Sequence, residues 1–396
     1  MDFRDGRPIH VMSSYDVIVV GGGIAGISAA VASAREGSKT LIIEKGIVFG
    51  GLATVGLINW YEPLCDGHGT KMIGGIAEEL IRLSVRYGFQ DLPEKWGGND
   101  TVREDGRYST HFSPTIFAMA LDGYLKSNNV EILLDCLMTV PVMENGRCKG
   151  IVAEAKEGRL FFPAKAVIDA TGDASVFAAA GAETVCGKNY LGYYGHVYDK
   201  DTIEAYQKIG KMVRMRKWVV AGVNPFAQDT TEENRSFSGL TARDITDFVL
   251  EGRQMFFDMV KDKDPEGSDV SMIPFMPQFR TIRRIVGEED FNAIDGQRFD
   301  SAIGSCGDFR KDHLGKHYQV PFGAQYNKSY PNLVAAGRII CSPSEDGWEV
   351  SRVIPVCALT GQAAGVAASM TLGGDIQDVD IKGLQRRLAD SGVVFM

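Results

Sequence analysis

The chain has 396 residues, room for two domains or for one large α/β domain with an insertion. Its 44% apolar and 23% charged content is that of a globular protein, and a net charge of −9 argues against a sequence-independent nucleic-acid surface and lends no support to one for anionic lipid. No run of about 18 apolar residues occurs, which argues against a membrane span.

Met1–Ser13 has no apolar core of a secretory signal and reads as a loose leader. Asp16–Val20 is a short apolar run rich in β-branched residues, the signature of a buried strand. Gly21, Gly23 and Gly26 follow at the spacing G-x-G-x-x-G, and Ile27–Glu36 is Ala-rich and helical. Gly37 stops that helix, and Thr40–Ile43 is a second strand ending at Glu44. Gly21 allows the tight turn, Gly23 leaves room for a pyrophosphate, and Gly26 lets helix and strand pack closely. The helix N-terminus presents free N–H groups to the anion, and Glu44 can accept from ribose hydroxyls. A Gly-rich turn in an ordinary α/β domain is the competing reading, but strand, turn, helix, strand and acid occur here in order.

Gly46–Gly75 is rich in glycine; Gly50-Gly51-Leu52-Ala53-Thr54 suits a backbone laid close on a flat ring, or else a plain connecting loop. Cys65 and His68 nearby are more simply packed residues than covalent anchors. Ile76–Arg86 is helical, Asp91–His111 is polar surface, and Ser113-Pro114 caps a helix running to about Ser127. Ile132–Leu134 is a strand. The segments around the Asn145-Gly146 turn, with Leu160–Phe162, read as an antiparallel meander. Ala166–Ala170 is another buried strand, ending in Thr171-Gly172-Asp173.

From about Glu183 to Lys316 the pattern changes, and this block reads as a cap. It holds an amphipathic helix, Leu240–Lys263, with Ile245, Phe248, Val249, Phe256, Phe257 and Val260 apolar, and the arginine-rich run Phe279–Ile285. Leu333–Ala336 is a buried strand ending at Gly337-Arg338, and Ser342–Arg352 a polar loop. The last long helix starts at Pro355 and is lined by Ala358, Gly361, Ala364, Gly365 and Ala368, so it can lie against a backbone or a ligand. The seven cysteines show no C-x-x-C; free thiols, no metal site and a cytoplasmic location are expected.

The motifs VVGGGIAG, GGLAT, DATGD, FRTIRRIVG, YQVPFGA, NLVAAGR and SRVIPVCALTGQAAGVAA resemble the FAD-dependent oxidoreductases of the glutathione-reductase-like flavoproteins, loosely those of the fumarate reductase type. The resemblance runs from Tyr15 to about Gly374. It implies an α/β fold: a Rossmann-like FAD domain of parallel sheet plus antiparallel meander, residues 14–185 and 317–374, with an inserted α+β substrate or cap domain, 186–316, and terminal extensions 1–13 and 375–396. It implies FAD contacts from Gly21, Gly23, Ile24, Ala25, Gly26, Glu44, Lys45, Gly50, Gly51, Ala53, Thr54, Val142, Ala170, Thr171, Gly172, Gly337, Arg338, Pro355 and Ala358. The family's acid within its R-x-x-R-R stretch corresponds here to Thr281, and no iron–sulfur cysteine spacing is present.

The expected chemistry is hydride transfer between flavin N5 and a small organic substrate, with Arg280, Arg283, Arg284 and Arg352 as candidate anion clamps. His313, with His317 and Tyr318 behind it, is the candidate proton donor or acceptor. With a single G-x-G-x-x-G, the second partner is the substrate itself or a redox carrier protein. A flavin electron-transfer subunit and a flavoenzyme without net redox change stay open, as does oligomerisation.

Overall fold

The computed structural model describes residues 6, 8–89, 92, 106–107, 109–223, 235–263 and 266–396. The main sheet is built around Gly158–Asp169, one long strand with two sets of neighbours. Its second half lies parallel between Tyr15–Val20 and Leu333–Ala335, with Ile18 opposite Val167 and Val334 opposite Ile168. Thr40–Ile43 and then Glu131–Leu133 extend the parallel layer outward from Tyr15–Val20. Its first half pairs antiparallel with Arg147–Ala155, which pairs with Leu137–Glu144 through the Asn145-Gly146 turn. Both turn residues have positive φ, 51° and 77°, as a tight hairpin of this hand needs.

Helices Ile24–Arg35 and Ile354–Met370 pack on each other along their small residues. A Cβ on Gly361 would stand 2.1 Å from the Ala25 carbonyl oxygen, and one on Gly365 2.3 Å from that of Ala29. The small face of the last helix is therefore filled by another helix's backbone over these turns.

The block between the two halves carries its own sheet, Lys217–Gly222, Gly192–Asp199 and Ser268–Met272, with Gly192–Asp199 central. Helix Ala242–Val260 covers one face, and Tyr193, Val197, Ala221 and Phe256 form a separate apolar cluster there. A second cluster joins Phe237, Phe248, Phe279 and Ile282. From Ile285 onward the chain packs into the main core, which includes Phe291, Ile303 and Cys306. By apolar contact the junction thus lies near residue 283 rather than at 316.

Three further expectations differ. Ile9–Val11, within the supposed loose leader, pairs parallel with Arg159–Phe161; all three residues are exposed, so the strand leaves no burial period to read. The supposed C-terminal extension forms helix Ile381–Asp390, with Leu384 and Leu388 buried in the main core. Ser342–Arg352 is not all loop: Ser344 caps a short helix, Glu345–Ser351, its hydroxyl accepting from Gly347 N at 2.9 Å. Phe257 faces outward and is 57% exposed. Most of the polar stretch 91–111 falls outside the described residues. All seven cysteines are free thiols, and no single described helix is long and apolar enough to cross a membrane.

Candidate active site

The Gly-rich turn is held by close backbone contacts. Gly21 has φ of +103°, and a Cβ there would strike the Ala170 carbonyl at 2.5 Å. A Cβ on Gly26 would fall 1.8 Å from the Gly21 oxygen, so helix meets strand with no side chain between. Gly23 differs: nothing lies within 4 Å of where its Cβ would stand. Ile24 and Ala25 are buried behind it. Glu44 sits at the tip of the second strand, accepting from Gly22 N at 2.6 Å and Gly46 N at 2.7 Å. Lys45 beside it is exposed.

The second Gly-rich turn docks on the first, Gly50 N donating to Gly22 O at 2.8 Å. Gly50 and Gly51 both have positive φ, and a Cβ on Gly51 would lie 3.3 Å from Gly23 Cα. Ala53 and Thr54 are buried beneath, the Thr54 hydroxyl spent on Phe49 O at 2.6 Å. On the other side Ala170 N donates to Val20 O, and the Thr171-Gly172 turn is fixed by Asp169. Its carboxylate is fully buried and accepts from Thr171 N and Oγ1, Val176 N and Phe177 N. Burial pushes that carboxyl up to about 6, against the opposing Thr171 hydrogen bonds.

Two arginines lock the same turn. Arg338 Nε donates to Gly172 O at 2.6 Å, and Arg283 Nε to Asp173 O at 2.7 Å. Gly337, at φ +83°, comes so close to Ala25 that a Cβ would lie 2.9 Å from Ala25 Cβ. The last helix begins at Ile354, with Pro355 and Ala358 both buried.

Between the inserted block and the helix Glu345–Ser351 lies a cleft of about 370 Å³. Arg280, Arg352, Tyr194, Tyr190, Trp348 and Glu349 are among its walls. Arg352 pairs with Glu349, while its Nε is buried without a partner among the described residues. The Arg280 guanidinium lies 5.5 Å from the Tyr194 ring centre and forms no ion pair with any described carboxylate. Burial, then the charges of Arg352 and Arg338, push it down to about 10. Two guanidinium groups thus line the cleft, and a third, that of Arg338, lies near enough for its charge to act on Arg280.

Of the residues expected to act on substrate, Arg280 and Arg352 line this cleft, and Arg283, Arg284, His313, His317 and Tyr318 do not. Arg283 is committed to the Asp173 carbonyl. His313 and Tyr318 converge on Asp308, at 2.8 and 2.7 Å, together with Arg310 at 2.7 Å. Burial would raise the Asp308 carboxyl, but bonds from Arg310, Tyr318 and His313 outweigh it and hold it at about 2. His313 and Tyr318 are thus parts of a buried carboxylate's shell, and neither lines the cleft. Val142 pairs with Gly150 in the outer strand of the meander. The chain that reaches Glu44 is Asp135-Cys136: Cys136 N donates to Glu44 O and Asp135 N to Gly46 O. Tyr194 and Trp348 were not singled out from sequence. The Ser344 cap with Glu345 and Asp346 behind it was the available signal for the helix that carries Trp348.

Comparison with known proteins decides the family. The pattern described as FAD dependent oxidoreductase matches residues 16–247 and 290–388. The chain belongs to that family. It is 30% identical over 177 residues to thiamine thiazole synthase of Sulfolobus acidocaldarius, covering 42% of this chain and 58% of the relative. It is 31% identical over 86 residues to thioredoxin reductase of Bacillus subtilis, covering 22% and 27%. The chain therefore spans under two thirds of either relative. A solved geranylgeranyl bacteriochlorophyll reductase-like protein from Thermoplasma acidophilum overlays 96% of this chain and 83% of its own, at 13% identity and a TM-score of 0.45.

The family's cofactor, FAD, suits the groove. Gly23 keeps open the space that a side chain would fill, on a turn whose neighbours Gly21 and Gly26 are closed by backbone contacts.

Proposed function

We propose that this FAD-dependent oxidoreductase exchanges a hydride between flavin and a small anionic organic substrate held in the Arg280–Arg352 cleft. Gly21, Gly23 and Gly26 would hold the pyrophosphate, Glu44 the adenosine ribose, and Arg338 with Gly337 the phosphate and ribityl region. Bound FAD would supply the two-electron donor or acceptor for that exchange.

The observation that carries the reading is Arg280, a cation set into the cleft wall with no described carboxylate to neutralise it. A charge so placed is costly unless an anion joins it. Arg280 and Arg352 orient the substrate's charged group, as paired guanidinium groups do for carboxylates. The rings of Tyr194 and Trp348 displace water from the walls. Tyr194, whose phenol burial pushes upward, stays protonated and can donate a hydrogen bond into the cleft.

Anaerobic titration tests this. Flavin absorbance should bleach, or reduced flavin reoxidise, with small organic acids from a panel and without any carrier protein. Arg280→Gln should raise the half-effective concentration about tenfold or more at unchanged FAD content. Redox change only with a protein carrier, or an unaltered Arg280→Gln titration, would overturn the reading.

A further inference from the structure

The cleft's aromatic residues go further than its charge. Trp348 is fixed on two sides: its Nε1 donates to Arg338 O at 2.9 Å, and the Arg284 guanidinium lies 5.7 Å from its ring centre. Arg284 is itself buried, and its Nε has no hydrogen-bond partner among the described residues. A guanidinium that could have faced water is instead placed against the indole, which fixes the ring's plane. Trp348 lines the cleft, and so do Tyr190 and Tyr194. The Tyr194 ring carries Arg280 over it, so the anion-binding group and an aromatic surface form one unit. Tyr194 N is in turn held by Gln278 Oε1 at 2.8 Å, and Gln278 Nε2 is tied to Gly56 O at 2.7 Å, which anchors the strand to the second Gly-rich turn. Rigid aromatic faces at fixed distance from a cation favour a flat ligand over a puckered one, because ring stacking rewards parallel contact.

We infer that the cleft takes a planar, conjugated anion, an aromatic carboxylate in the simplest case, with its charge on Arg280 and Arg352 and its ring against Trp348. This rests on the cleft being the substrate site of the proposed oxidoreductase. It does not depend on the direction of hydride transfer, since binding alone is at issue.

Calorimetry on the FAD-loaded protein compares benzoate, cyclohexanecarboxylate and benzyl alcohol, three probes that separate ring planarity from charge. Benzoate should bind at least tenfold tighter than either of the others. Trp348→Leu should bring benzoate down to the level of cyclohexanecarboxylate and leave the latter within about twofold. Arg280→Gln should weaken both acids together. Trp348→Phe, which keeps a flat face, should retain most of the benzoate preference and guards against a misfolded Trp348→Leu. Equal affinity for the two acids would overturn the planar-ring inference and leave the anion reading standing. Acids that bind no better than the alcohol, unaffected by Arg280→Gln, would sink both. Ring-selective benzoate binding that leaves the flavin's visible spectrum unshifted would support the ligand class and remove the cleft from the flavin's side.

Discussion

At the scale of single residues, the glycines of the first turn do separable jobs. Gly21 and Gly26 cannot carry a side chain, because strand and helix backbones already fill the space. Gly23 sits at φ −72° and ψ 179°, which any residue adopts, and its Cβ would meet nothing. Gly23→Val should therefore fold with a melting temperature within a few degrees of the apo protein, yet purify without FAD. Colourless but folded protein is the expected result; full yellow stoichiometry would remove the pyrophosphate from this turn. This division of labour was legible because glycine spacing encodes a backbone geometry. The surroundings of His313 and Val142 were not legible in the same way. A histidine's partner depends on which acid folding brings near, here Asp308, and a strand residue's neighbours depend on register, which sets Val142 against Gly150.

At the scale of elements, the last helix is the clearest case of sequence specifying packing. Its small residues were read as a face for a backbone or a ligand, and the backbone proves to be that of Ile24–Arg35. Gly361→Leu should destabilise the protein by about 1–3 kcal/mol, because the added side chain must displace the Ala25 carbonyl. Urea unfolding measures this, and loss of FAD should accompany it, since the displaced turn also carries Gly26. An unchanged midpoint would mean that the two helices are not in this contact. Short polar elements were harder to foresee. The helix Glu345–Ser351 has no apolar period to betray it, and it brings Trp348 and Glu349 to the cleft. Arg280 stood in an arginine-rich run, but nothing in that run says which guanidinium faces inward.

At the scale of the whole molecule, cap and FAD-binding body meet at His196. This residue lies on the cap's central strand, fully buried, with Nε2 3.2 Å from Asn59 Oδ1. Asn59 also accepts from Trp218 Nε1 at 2.9 Å and donates Nδ2 to Phe112 O at 2.7 Å. Its Oδ1 is thus an acceptor, and His196 must carry its proton on Nε2. Burial, then the nearby Arg216 and His111, push the imidazole down from 6.5 to about 3. Between those values the unfolded chain binds the proton that the folded chain refuses, so stability falls as pH falls from about 6.5 toward 3. Urea unfolding at pH 6.5 and 5 should show a loss of about 1–2 kcal/mol from this group. His196→Gln should flatten that part of the slope; parallel slopes in the two proteins would show that the junction does not titrate this way.

The strand Gly158–Asp169 does for stiffness what no contact at the groove could do alone. Its near half is zipped into a hairpin on the far side of the sheet, and its last residue, Asp169, fastens the turn beneath Arg338. To fray that turn, a fluctuation must also pull on the hairpin, so a distant pair of strands works as ballast for the place where the phosphates are expected to rest.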